Sequence, residues 1–416
     1  MSVVEFVPAR LKTEERLREL TADYWKKARE AKASGKPIVW CNTLAPEEIF
    51  RAMGVFPIST ENHAALCGAT KVSTGLCEVS ERYGYSRDIC SYAQTDIGSV
   101  LAGEATKSPV KPPEPDILVV ANGQCHTVTK WLESLSKLFN IPLFLIDMPF
   151  IHDDAGEDTI SEARDYVKEQ LKEMIAFIEG FTSSRLDYSR LQECFEYSGQ
   201  LCRLWEEILD LRQNIPSPIS AFDIFSNIVP IITMRGTPEG VTYYEQLKAE
   251  VADRVALKIG AVPDERFRLH LDGVPCWFDL KYLATKFTSY SACTVTHVYP
   301  PVFGVFSSLD PSRPFDTFAE ALLKSFINLG VRQRADKIIM LAKKYHLDGL
   351  VMQMSRTCKV LCAGELEICD IVERELGLPS LVYETDMCDS RLHSISHIDS
   401  RIDVFMEVLA TRKNRA

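Results

Sequence analysis

Two segments far apart in this chain carry the same order of parts, and that repetition limits the fold more than any other feature. The first reads Pro115-Asp-Ile-Leu-Val-Val-Ala-Asn-Gly-Gln-Cys125, then a helical run, then Pro142-Leu-Phe-Leu-Ile-Asp147-Met148. The second reads Leu347-Asp-Gly-Leu-Val-Met-Gln-Met-Ser-Arg-Thr-Cys358, then a helical run, then Pro379-Ser-Leu-Val-Tyr-Glu-Thr-Asp386-Met387. Each is a buried strand, a loop with a cysteine, a helix and a second strand led by proline. Continuous apolar runs of this length suit parallel strands covered on both faces. Each cysteine then lies just past the carboxyl end of a strand, where open parallel sheets place ligands. The fold class expected is α/β, with two Rossmann-like open parallel-sheet domains related by an internal repeat. Two such units facing each other would present thiolates to one shared object at their interface, in a reduced protein most simply a metal cluster.

The rest of the pattern divides the chain of 416 residues into four stretches. Residues 1–35 are an N-terminal helical segment, 36–156 a first α/β domain, 157–265 a helical connecting region and 266–416 a second α/β domain. Glu157 to about Asn214 reads as one long helical pattern. Thr237 and Pro238 read as the cap and first turn of a further helix.

Net charge is −11, which disfavours nonspecific nucleic-acid binding. No basic-then-apolar leader opens the chain and no stretch is apolar enough to span a membrane, so a cytoplasmic location is expected. Thirteen cysteines in such a chain point to metal ligation, redox chemistry or buried thiols rather than a disulfide framework.

Cys125 and Cys358 share a setting in which backbone N–H groups and a helix dipole stabilise a thiolate. Cys90 follows Gly84-Tyr-Ser-Arg-Asp-Ile and opens a helix of small and polar residues, with no obvious strand before it. Cys362 and Cys369 follow Cys358 at helical spacing and read as an inward helix face. Cys194 and Cys202, eight residues apart, read as core. A zinc site would favour a close Cys or His pair, and none occurs; widely spaced cysteines brought together by the fold suit an iron–sulfur cluster. Nucleotide-binding glycine loops, G-x-S-x-G and H-E-x-x-H are all absent. Ser59 to Ala65 follows a buried strand and is either a set of site groups or a helix start capped by Thr60 or Asn62. Thr43 is likewise a cap or a site hydroxyl. His297 and Tyr299 end a strand and could line the same crevice, although a lone residue of either type there is more often structural.

Several of these residues together resemble the 2-hydroxyacyl-CoA dehydratase and benzoyl-CoA reductase family. They are Trp40-Cys-Asn-Thr43-Leu-Ala-Pro-Glu, Glu61-Asn-His-Ala-Ala, Gly84-Tyr-Ser-Arg-Asp-Ile-Cys90-Ser-Tyr-Ala, Asn122-Gly-Gln-Cys125, Gly273-Val-Pro-Cys-Trp277 and Ser355-Arg-Thr-Cys358-Lys. The likeness runs from about Pro37 to Glu407 and is strongest to the larger, substrate-binding dehydratase subunit. It implies an iron–sulfur subunit of a radical (R)-2-hydroxyacyl-CoA dehydratase, with a 4Fe-4S cluster held by Cys90, Cys125 and Cys358. It implies an acyl-CoA substrate, a homologous second subunit and an ATP-hydrolysing iron–sulfur activator, with neither nucleic acid nor membrane as partner. Glu61 matches a carboxylate placed for proton transfer and Thr43 a hydroxyl near an open iron; Asn62 and His63, beside Glu61, become candidate substrate contacts. Arg235-Gly-Thr-Pro-Glu-Gly and Glu384-Thr-Asp386 also resemble the reductase branch. Two further expectations therefore stand beside the first: a subunit of an ATP-dependent aromatic acyl-CoA reductase, and a non-catalytic electron-transfer subunit.

Overall fold

The computed structural model describes residues 11–415. Two four-stranded sheets organise them, each parallel throughout. In the first, β1 (Ile38–Cys41), β2 (Phe56–Ser59), β3 (Ile117–Ala121) and β4 (Leu143–Ile146) lie in the order β2-β1-β3-β4. In the second, β5 (Phe267–Asp272), β6 (Ala292–His297), β7 (Gly349–Ser355) and β8 (Ser380–Thr385) lie in the order β6-β5-β7-β8. The two orders coincide when the strands are counted within each half, so the repeat extends to whole sheets. Every residue of β1, β2, β3, β5 and β6 is buried; β1 and β3 accordingly read as unbroken apolar runs, while β5 alternates apolar residues with the buried polar Arg268, His270 and Asp272.

Helices join the two halves. The stretch from Glu157 to about Asn214 is helical, as its pattern predicts, and is divided into two helices, Glu157–Phe181 and Tyr188–Asp210. The break lies where hydroxyl side chains compete for the backbone. Thr182 Oγ1 donates to the Ile178 carbonyl at 2.8 Å and accepts from Ser184 N at 3.1 Å, and Asp187 then caps the second helix through Arg190 N. Thr237 precedes the Pro238–Ala256 helix as expected, but its hydroxyl turns back to the Met234 carbonyl at 2.8 Å instead of capping. The helical spacing of Cys358, Cys362 and Cys369 is interrupted too. The Lys359–Cys362 turn ends, Gly364 takes a φ of +95°, and the Glu365–Leu376 helix begins. A Cβ at Gly364 would meet Val331 Cγ2 at 2.8 Å, so glycine allows both the turn and the approach.

One apolar core runs through both sheets and the helices between them. Polar bonds also cross from half to half. Ser73 Oγ donates to the Cys388 carbonyl at 2.5 Å, Trp277 Nε1 donates to the Tyr92 hydroxyl, and Arg391 pairs with Glu81. No helix among the described residues is long and apolar enough to cross a membrane.

Candidate active site

The carboxyl ends of the strands in both sheets converge on three cysteines. Each stands at the N-cap of a helix: Cys90 before Ser91–Ala102, Cys125 before His126–Phe139, Cys358 before Lys359–Cys362. The cap position turns unpaired backbone N–H groups toward each sulfur. Cys125 Sγ accepts from Val128 N at 3.4 Å. Tyr92 and Ala93 supply N–H groups to Cys90, and Leu361 supplies one to Cys358. Burial is the largest influence on all three thiols and raises their pKa values, Cys125 to about 11. They also raise one another: Cys90 feels Cys125, and Cys358 feels both. The three sulfurs thus share one electrostatic neighbourhood, although no His, Cys, Asp or Glu group among the described residues is compact enough to grip a single ion.

The loops that carry the cysteines are tied together. Ser91 N donates to Thr357 Oγ1 at 3.1 Å, and Thr357 Oγ1 donates to Asp386 Oδ2 at 2.6 Å. Asp147, its counterpart in the first half, accepts from Asn122 Nδ2 at 2.5 Å. In both halves the repeated aspartate therefore holds the cysteine loop to the neighbouring strand. Cys362 Sγ donates to the Ser355 carbonyl at 2.8 Å and so closes the Cys358 turn, while Cys194, Cys202 and Cys369 are buried.

Glu61 opens the helix after β2 and is 4% exposed. Its carboxylate accepts from Thr43 Oγ1 at 2.9 Å, Thr60 Oγ1 at 3.1 Å and Gln124 Nε2 at 2.8 Å. Burial raises its pKa against these hydrogen bonds. Gln124 in turn accepts from Asn42 Nδ2 at 2.8 Å, and Asn42 pairs with both backbone groups of Ala121. Sequence reasoning assigned no role to Asn42 or Gln124, although both lie inside motifs it singled out. The helix is capped by Ser59, which accepts from Asn62 N at 3.4 Å, and not by Thr60 or Asn62.

Glu61 and Asn62 face a cavity of about 180 Å³ between the halves, walled by Trp25, Leu66, Phe225, Ile232, Trp277, Leu280 and Tyr299. Tyr299, weighed as structural from sequence, thus shares the cavity with Glu61. His63 turns the other way. Its ring is buried, bonded through Nδ1 to Asp96 and through Nε2 to Ser108 Oγ at 2.8 Å. Burial is the largest single influence and opposes its charge, but the Asp96 carboxylate and the Cys67 thiol together lift the His63 pKa to about 10. His297 is buried behind Phe225 with ring centroids 4.7 Å apart, and its Nδ1 accepts from Tyr299 N. A second cavity, about 350 Å³, opens beside Cys125 and is lined by Met148, Phe150 and Lys359.

The family described as 2-hydroxyglutaryl-CoA dehydratase, D-component, matches residues 42–409. The chain is 29% identical over 399 residues to the (R)-phenyllactyl-CoA dehydratase alpha subunit of Clostridium sporogenes, covering 95% of each chain. It is 29% identical over 404 residues to the (R)-2-hydroxyisocaproyl-CoA dehydratase alpha subunit of Clostridioides difficile, covering 95% of this chain and 96% of that one. It is 28% identical over 415 residues to a benzoyl-CoA reductase subunit of Thauera aromatica, covering 96% of this chain and 95% of the relative.

Proposed function

Because the chain belongs to the 2-hydroxyglutaryl-CoA dehydratase D-component family, we propose that it is the substrate-binding iron–sulfur subunit of a radical (R)-2-hydroxyacyl-CoA dehydratase. The observation that carries the reading is the link between Glu61 and Cys125. Glu61 faces the apolar cavity while bonded to Gln124, the residue covalently next to Cys125. An acid–base group on one cavity is thereby a single hydrogen bond from the residue next to a soft metal ligand, which lines the neighbouring cavity.

The donor set fits a 4Fe-4S cluster. Three cysteines with N–H groups on their sulfurs share one field, and a polynuclear cluster spreads its thiolates more widely than a single ion would. Cys90, Cys125 and Cys358 are the residues that would hold it. When bound, the cluster would supply low-potential one-electron chemistry at the substrate's thioester carbonyl. This chain's own residues do the rest. Glu61 holds or delivers a proton at the carboxylate fixed by Thr43 and Gln124. The apolar walls exclude water from the reacting carbons. Gln124, itself held by Asn42, keeps the carboxylate in one orientation.

The electron would come from an ATP-hydrolysing iron–sulfur activator, and the partner would be a homologous second subunit, since the relatives are named as subunits. A second reading, an aromatic acyl-CoA reductase subunit, draws on the reductase relative and on Phe225, Trp277 and Tyr299 in the cavity wall. An electron-transfer subunit without substrate would leave the Glu61 cavity unexplained.

The test is anaerobic purification with the neighbouring subunit. Iron and sulfide should fall in Cys90→Ala, Cys125→Ala and Cys358→Ala, and full retention in all three overturns the ligand assignment. Glu61→Gln should keep its iron and lose at least ~10²-fold in turnover. A cyclic diene formed from benzoyl-CoA, with no dehydration of 2-hydroxyacyl-CoA, would replace the first reading by the second.

A further inference from the structure

The cavity that Glu61 faces also bears on substrate choice, an inference that rests on the reading of that cavity as the acyl-CoA site. We propose that the acyl chain it accepts is neutral and apolar, of branched-alkyl or single-ring size, and that chains ending in a carboxylate are rejected. Among the described residues no Lys, Arg or His lines the cavity, and Glu61 is its one carboxylic acid. The other side chains on the wall with polar atoms are Thr21, Asn62, Ser226, Tyr299 and the indoles Trp25 and Trp277, none of them cationic. The remaining wall is aliphatic and aromatic, with Phe225 set edge-on to Trp277 at 6.2 Å between ring centroids.

A distal carboxylate in this space would lose its hydration and gain no ion-pair partner. It would also approach a second acid, Glu61, that is itself short of solvent. Both effects disfavour the charged form. His297 does not rescue it. It is shut behind Phe225, and burial, His270 and Arg212 hold its pKa well below the usual value, so it stays neutral. Size gives the upper bound. The volume is about 180 Å³, and a dry cavity of roughly 150 Å³ takes a benzene ring. An isobutyl or benzyl chain fits; a two-ring chain does not.

The experiment measures equilibrium binding of CoA thioesters to the assembled, iron-loaded two-subunit complex without activator, so the readout does not depend on turnover. The probes are the (R)-2-hydroxy thioesters with 4-methylpentanoyl, 3-phenylpropanoyl and pentanedioyl chains. The two apolar thioesters should bind at least ~100-fold more tightly than the dicarboxylic one, a difference on the scale of an unpaired buried charge. Leu66→Lys, a half-buried wall position whose long side chain can reach the cavity, should narrow or reverse that ratio, while Leu66→Met should keep it. Equal or tighter binding of the pentanedioyl thioester by the unaltered complex overturns this proposal and leaves the dehydratase reading standing. Failure to bind any of the three, with iron retained, overturns the acyl-CoA reading itself and this inference with it.

Discussion

The backbone N–H of Ser91 donates to the hydroxyl of Thr357 at 3.1 Å, which ties the residue after Cys90 to the residue before Cys358 across 266 positions of sequence. Thr357 is in turn anchored by Asp386 through both its hydroxyl and its N–H. One buried side chain therefore sets the spacing between two cysteines that belong to different halves.

Replacing Thr357 by Val keeps the shape and removes the hydroxyl. It strands the Ser91 N–H and takes from Asp386 Oδ2 one of its two hydrogen bonds, leaving the one from the residue 357 N–H, at a cost of roughly 1–3 kcal/mol. Urea unfolding should show that loss, and iron per chain should fall below the unaltered level. Thr357→Ser should retain both, because the hydroxyl remains.

Gly98 gives the second test. It lies in the helix that Cys90 caps, where the Leu76 carbonyl of the preceding helix occupies the place a Cβ would take. The obstacle is backbone, so no side-chain rotation relieves it. Gly98→Ala should cost upwards of ~3 kcal/mol and lower the yield of folded chain. Gly75→Ala, where the added Cβ meets open space, is the control and should stay near the original melting temperature.

Much of this arrangement is legible in the sequence where burial is two-sided. β3 is apolar along its length, and β7 is apolar apart from Gln353 and Ser355, because both faces are covered, so their ends and the cysteines beyond them can be located by reading alone. Cys90 is harder because a helix precedes it, and its place is fixed by the close approach at Gly98, a tertiary contact. Asn42 and Gln124 act through partners 82 and 63 residues away, which no local pattern encodes. His63 follows Glu61 and Asn62 in the motif, yet the turn of the helix carries its ring to Asp96 and away from the cavity. The break at Gly364 depends on Val331, a neighbour that helical periodicity does not register.

His270 on β5 makes stability depend on acid. Burial, then Arg212, lowers its pKa from 6.5 to about 3. Above pH 6.5 neither folded nor unfolded chain protonates it, so it contributes nothing there. Below 6.5 the unfolded chain binds a proton that the folded one refuses, and stability is lost until the pH reaches about 3. By pH 4 this one group should cost about 3 kcal/mol. His270→Gln, which can keep the bond to Thr296, should show a flatter fall in urea-unfolding free energy between pH 7 and pH 4. Parallel curves for the two proteins would refute the assignment.

Arg334 closes on the Cys358 turn from the opposite side. Its guanidinium donates to the Leu361 and Ala363 carbonyls at 3.4 and 3.5 Å, and it is the cation that lowers the pKa values of both buried acids beside it, Asp272 and Glu365. Burial is the larger influence on Glu365 and, with Asp272, raises its pKa to about 8, so at neutral pH it is mostly protonated. Two consequences follow from that ranking. Glu365→Gln should be nearly neutral at pH 7, within about 1 kcal/mol, because it replaces a group already uncharged. Arg334→Met should cost roughly 3–5 kcal/mol, because it removes the cation that faces the buried acids Asp272 and Glu365. It should also loosen the turn and lower iron occupancy. Asp272→Asn in the Arg334→Met background should recover stability, since it removes the buried acid that lost its cation, but not iron, since the carbonyls of the turn still lack their donor. Recovery of both would show that Arg334 serves charge balance alone, and recovery of neither would show that packing of its side chain is what holds the turn.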